Sequence, residues 1–126
     1  VIRGIGTDLV ELERIEEIGV HRLARRILTE RERTLKPEQP GRELEYIAGR
    51  FAAKEAVAKA LGTGIGGNCS FLDIEILNDH KGKPCVFLSE SAFAAIFADK
   101  EIAVHLSISH SRQYAMAMAV IEEVVL

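Results

Sequence analysis

A helical pattern that runs from Glu43 to Leu61 and ends in Gly62, Gly64 and Gly67 constrains this chain more than any other stretch. Leu44, Ile47, Ala48, Phe51 and Ala58 recur at helical spacing as an apolar stripe, which predicts a long central helix. The glycines spell G-x-G-x-x-G, but a dinucleotide-binding turn needs a strand before them and a helix after. Here the helix comes first and the strand-like "FLDIEIL" follows. No Gly-Lys-Ser/Thr closes the run, which excludes a P-loop as well. The glycines therefore read as a helix C-cap opening into a loop.

The flanking segments complete an outline. "VIRGIGTDL" predicts a first strand, and "VELERIEEIGVHRLARRIL" a helix with Leu12, Ile15, Leu23 and Ile27 near one side. Asp8 followed by Glu11 has the spacing of a loose capping box. "KPEQPG" is the clearest break. Beyond the glycines, "FLDIEIL" and "CVFL" predict a hairpin around "NDHKGKP", and "SESAFAAIFADK" a short capped helix. "IAVHLSISH" and "YAMAMAVIEEV" predict a second hairpin around "SRQ". This order predicts an α+β fold: one compact domain over residues 1–126, mostly antiparallel sheet, with a long central helix.

Composition sets the outer limits. At 126 residues and 48% hydrophobic, the chain can bury one core. A net charge of −3 gives no reason to expect a nucleic-acid partner. No stretch is apolar for long enough to span a membrane, and no secretory leader is expected. Cys69 and Cys85 are too few for a disulfide framework or a zinc site, and read as reduced packing residues of a cytoplasmic protein. Charge is unevenly spread, however. "HRLARRILTERERTLK", from His21 to Lys36, holds six Arg/Lys against two Glu, so it is either an acidic partner's docking face or a solvated helix face.

Four groups of residues carry candidate chemistry. Glu55 falls at the edge of the central helix's apolar stripe, with Arg50, Lys54 and Lys59 around it. It is either an ordinary i,i+4 partner of Lys59 or a metal ligand in a setting suited to phosphates. Asp8 shares a strand face with Gly4 and Gly6, where absent side chains permit close approach. It is either the helix N-cap or a second ligand. In "HLSISHS", alternation puts His105, Ser107 and Ser109 on one face and His110 on the other, so a Ser109–His110 dyad is geometrically unfavourable. That His/Ser face either donates to a ligand or meets water. The small residues of "YAMAMAV" could serve core or subunit packing.

"GIGTDLVELERI" and "GRFAAKEAVAKALGTGIG" resemble the two signatures of the holo-[acyl-carrier-protein] synthase family, the small 4′-phosphopantetheinyl transferases of fatty-acid synthesis. The closing "HLSISHSRQYAMAMAVIE" resembles the family's last hairpin, so the likeness spans nearly the whole chain. The resemblance implies an α+β domain that assembles as a homotrimer with sites at subunit interfaces. It implies transfer of the phosphopantetheine arm of coenzyme A to a serine of apo acyl carrier protein, releasing adenosine 3′,5′-bisphosphate. By motif position it makes Asp8 and Glu55 the magnesium ligands. Lys59, Gly62, Thr63 and Gly64 then lie near the pyrophosphate and pantetheine, while Arg50, His105 and Ser107 line the nucleotide part. Arg14, Arg22, Arg25 and Arg26 become the surface for the carrier's acidic helix. The serine attacks directly, and its proton passes to a water or hydroxide at the metal oriented by Glu55. Two further readings stand beside this one: a binding module that grips coenzyme A or a carrier without catalysis, and a purely oligomeric structural domain. The presence of both Asp8 and Glu55 argues against the binding module.

Overall fold

In the computed structural model, which describes residues 1–124, the chain opens with strand β1 (Ile2–Glu11). Helices α1 (Leu12–Ile18), α2 (Val20–Ile27) and α3 (Glu30–Leu35) lead to the central helix α4 (Pro40–Leu61). A 3-10 turn (Phe71–Asp73) precedes β2 (Ile74–Asn78) and β3 (Pro84–Leu88). Helix α5 (Glu90–Phe97) and the hairpin β4 (Ile102–His110) and β5 (Tyr114–Glu123) complete it. Two antiparallel sheets result, ordered β1-β5-β4 and β2-β3, as the α+β outline predicts.

Helix α4 is the hub. Ala52, Ala53, Ala56, Val57 and Ala58 are all fully buried, so the expected stripe is a helix enclosed on most sides. Pro40 at its first position pre-sets the helical φ and starts it a turn before Glu43. Gly62, at φ 82°, ends it as the expected left-handed C-cap. The alternating alanines of β5, Ala115, Ala117 and Ala119, lie under α4 as core, while Met116 and Met118 point to the other face.

Gly4 and Gly6 do permit a close approach, and what approaches is α4 itself. A Cβ at Gly4 would lie 1.8 Å from the Ala60 carbonyl oxygen, and one at Gly6 2.0 Å from that of Ala56. Strand and helix thus meet backbone to backbone, with no side chain between them.

Three expectations are corrected. Asp8 is not an N-cap: β1 continues through the Glu11–Tyr114 pair, and Glu11 caps α1 without a side-chain bond. The long first helix is two helices broken at Gly19, whose φ of 105° a helix cannot contain. Residues 71–73 form a 3-10 turn rather than the start of a strand. Helix α3 adds an element that the apolar pattern does not mark, although Thr29 and Glu32 make a complete capping box at its start.

Candidate active site

Asp8 projects from β1 on the face that α4 covers, opposite Ala117 of β5. Glu55 and Lys59 lie one turn apart on the side of α4 that meets β1. The Lys59 ammonium does not pair within its own helix. It crosses to β1, donating to the Thr7 carbonyl at 3.0 Å and to Asp8 Oδ1 at 3.3 Å. The carboxyl of Glu55 is pushed up from its ordinary value, first by partial burial and then by the negative charge of Asp8, with Lys59 pulling the other way. A strand and a helix therefore bring two mutually repelling carboxylates and one ammonium to a single spot.

This donor set suits a hard divalent cation. Among the described residues no group of three or more His, Cys, Asp and Glu converges, so protein side chains alone could not enclose a metal. Two carboxylates, with water and a substrate's phosphates filling the other positions, fit magnesium, which seldom receives an all-protein cage. Gly62, Thr63 and Gly64 begin three residues after Lys59, where α4 ends and a loop opens. The Thr63 and Gly64 N–H groups both donate to the Ala58 carbonyl, and Gly64 takes a φ of 62°.

Other predicted residues lie elsewhere. Lys54 is no part of the positive surround of Glu55. It is fully buried on another side of α4, donating to the carbonyls of Ile27 and Phe71 and to Glu32 Oε1. Arg50 also faces away from β1. Its guanidinium lies over the Tyr46 ring and donates to the Ile76 carbonyl and Asn78 Oδ1, while its buried Nε has no partner. His105 and Ser107 project from the sheet face opposite Asp8; the His105 Nε2 lies 3.0 Å from Glu122 Oε1. One chain alone does not bring His105, Ser107 and Arg50 to the Asp8–Glu55 pair. His110 packs on Gly49, its Nε2 3.1 Å from the Glu45 carbonyl oxygen, away from any Ser109 dyad. Cys69 and Cys85 are unpaired thiols.

Arg14, Arg22, Arg25 and Arg26 are exposed on α1 and α2. Among the described residues none of them forms an ion pair with a carboxylate. The one group that residue patterns did not mark is the Thr7 carbonyl: a main-chain acceptor leaves no trace in side-chain chemistry.

Fold and site together define an α+β domain with an acidic pair and a lysine gathered at a strand–helix seam. A family model for the 4′-phosphopantetheinyl transferase superfamily matches residues 4–119. A holo-[acyl-carrier-protein] synthase of Bacillus cytotoxicus is 52% identical over 125 residues, covering 97% of each chain. The structure of a holo-(acyl-carrier-protein) synthase from Bacillus anthracis in complex with CoA (3′,5′-ADP) is 50% identical with a TM-score of 0.83, covering 97% of this chain and 96% of that one. That of the Helicobacter pylori synthase in complex with coenzyme A is 35% identical at a TM-score of 0.81, covering 94% and 99%. The chain belongs to the 4′-phosphopantetheinyl transferase superfamily and, within it, to the holo-[acyl-carrier-protein] synthase family.

Proposed function

We propose that the chain, as one domain over residues 1–126, transfers the 4′-phosphopantetheine arm of coenzyme A to a serine of apo acyl carrier protein in support of fatty-acid synthesis. The observation that carries this reading is the meeting of Asp8, Glu55 and Lys59 in a chain that matches synthases along almost its whole length. Asp8 and Glu55 would hold magnesium, which when bound supplies positive charge to the diphosphate. Lys59 adds a second charge at the leaving phosphate. The serine oxygen forms a bond to phosphorus as the diphosphate P–O bond breaks, and adenosine 3′,5′-bisphosphate departs. Glu55 orients the water that takes the serine proton. Little else is needed, because phosphoryl transfer depends mostly on positioning and charge.

The exposed arginines of α1 and α2 provide a face for an acidic carrier helix. The cytoplasm is the expected setting for this reaction. No helix among the described residues is long and apolar enough to cross a membrane.

Intact mass spectrometry of an apo carrier protein incubated with the chain, coenzyme A and Mg²⁺ tests the reaction. The carrier should gain one phosphopantetheine arm, and only when the metal is present. No gain with several bacterial carriers would leave a coenzyme A-binding module instead.

A homotrimer is part of the same reading. The sheet face away from α4 exposes Ile5, Leu9, Met116 and Met118, and Leu9 and Ile5 are each more than 60% exposed. The cross-strand pairs Leu9–Met116 and Thr7–Met118 make this one continuous patch, the kind of surface that marks an interface. Ser107 lies beside Met118 and His105 beside Val120 on that face, so assembly through it would deliver both to a neighbouring chain's site. Sedimentation should find a trimer, and Met118→Glu should give monomers that no longer load the carrier.

A further inference from the structure

Lys59 holds a position that a divalent cation would contest. Its ammonium reaches from the last turn of α4 to an acceptor pair on β1, the Thr7 carbonyl and Asp8 Oδ1. It does so although Glu55 stands at the favourable i−4 place in its own helix. The Asp8 side chain is only 17% exposed, whereas that of Lys59 is 51% exposed. The carboxylate is therefore fixed in the seam, and the lysine is the partner with room to leave. Repulsion between an ammonium and a divalent ion disfavours both holding one carboxylate oxygen at contact distance.

From this geometry we infer that Lys59 is the resident counter-cation of the metal-free site, and that metal entry displaces it from Asp8. The inference rests on the reading of Asp8 and Glu55 as metal ligands. Displacement gives the lysine two successive partners. It neutralises Asp8 before loading, and afterwards it is a free ammonium beside the diphosphate. The two functions pull in opposite directions: removing the lysine should strengthen metal binding and weaken transfer. A residue that merely braced β1 against α4 would not produce that opposition.

Mn²⁺ serves as the probe, since it favours similar oxygen ligands and is visible both by anomalous scattering and by electron paramagnetic resonance. In crystals of the full chain grown with Mn²⁺, the ion should sit on Asp8 and Glu55, with the Lys59 Nζ out of hydrogen-bonding reach of Asp8. In solution, Lys59→Met should bind Mn²⁺ about five-fold or more tightly than the native chain. Lys81→Met, which removes an exposed charge elsewhere, should leave the affinity unchanged. Mn²⁺ on both carboxylates with Nζ still on Asp8 Oδ1 would overturn the inference and spare the metal reading. So would a Lys59→Met affinity no higher than that of Lys81→Met. Mn²⁺ absent from Asp8 and Glu55 would overturn both together.

Discussion

Glu55→Gln should slow loading of a carrier protein by about 10²–10⁴-fold at saturating coenzyme A and Mg²⁺, the range associated with a positioned acid–base group. The substitution keeps the size and half-burial of the side chain, so the loss should be confined to chemistry and metal affinity. Stability supplies the control. Burial and the charge of Asp8 hold the Glu55 carboxyl above its ordinary value in the folded chain. Its stabilising contribution is present at low pH and is lost as pH rises through that raised value. At neutral pH the ionised carboxylate is therefore a cost that the neutral amide removes, and the variant's Tm should equal or exceed that of the native chain. A slow variant that melts lower has been damaged rather than disarmed. Metal affinity of the native chain should fall as the medium is acidified through the same raised value, because a proton competes for Glu55. Time-resolved mass spectrometry and thermal melts read both arms; native-rate loading by Glu55→Gln would remove the residue from the mechanism.

The sequence makes much of this arrangement visible, and the parts it hides have local causes. The central helix, its glycine cap and both hairpins follow from periodicity and turn chemistry, and the structure keeps them. Asp8 is ambiguous in the sequence because Asp-x-x-Glu has the spacing of a capping box. Only pairing with β5, a contact distant in sequence, decides that the strand runs on to Glu11. The break at Gly19 leaves no mark on the apolar pattern, since Leu12, Ile15, Leu23 and Ile27 all reach the same core on both sides of it. Helix α3 has a legible cap but no apolar face; its one buried residue, Glu32, is charged. Lys54 and Glu55 are neighbours in sequence, yet they point to different partners. Charge near Glu55 in the sequence is thus no measure of charge near it in space.

Lys54→Met should cost about 3–5 kcal/mol of folding stability, because it strands a carboxylate in the core. Both Lys54 and Glu32 are fully buried, with the ammonium 2.6 Å from Glu32 Oε1. The ammonium's other two bonds hold the carbonyls at the end of α2 and in the 3-10 turn. Glu32 is equally committed: it accepts from Thr29 N–H and from Ile76 N–H of β2. The pair thus joins α2, α3, α4, the 3-10 turn and β2, five segments that share no strand pairing with one another. Burial pushes the Lys54 ammonium's pKa down, and the Glu32 charge opposes that shift. Urea denaturation should show the midpoint falling with little change in slope. Adding Glu32→Gln to Lys54→Met should recover part of the loss, since the amide still accepts from Ile76 N–H without a charge to strand. A single Lys54→Met variant as stable as the native chain would mean that the pair adds nothing to the fold.

The contact of β1 with α4 through Gly4 and Gly6 has a consequence for how such a chain can change over generations. Two backbones in direct contact have no rotamers between them to rearrange, so their separation acts as a rigid gauge. Asp8 is two residues beyond Gly6, and Glu55 adjoins Ala56, whose carbonyl touches that glycine. The spacing of the two backbone positions that carry the carboxylates is set by peptide dimensions rather than by the fit of surrounding side chains. Core residues elsewhere can then drift by substitution without detuning the pair. A relative sharing 35% of the sequence keeps the same fold.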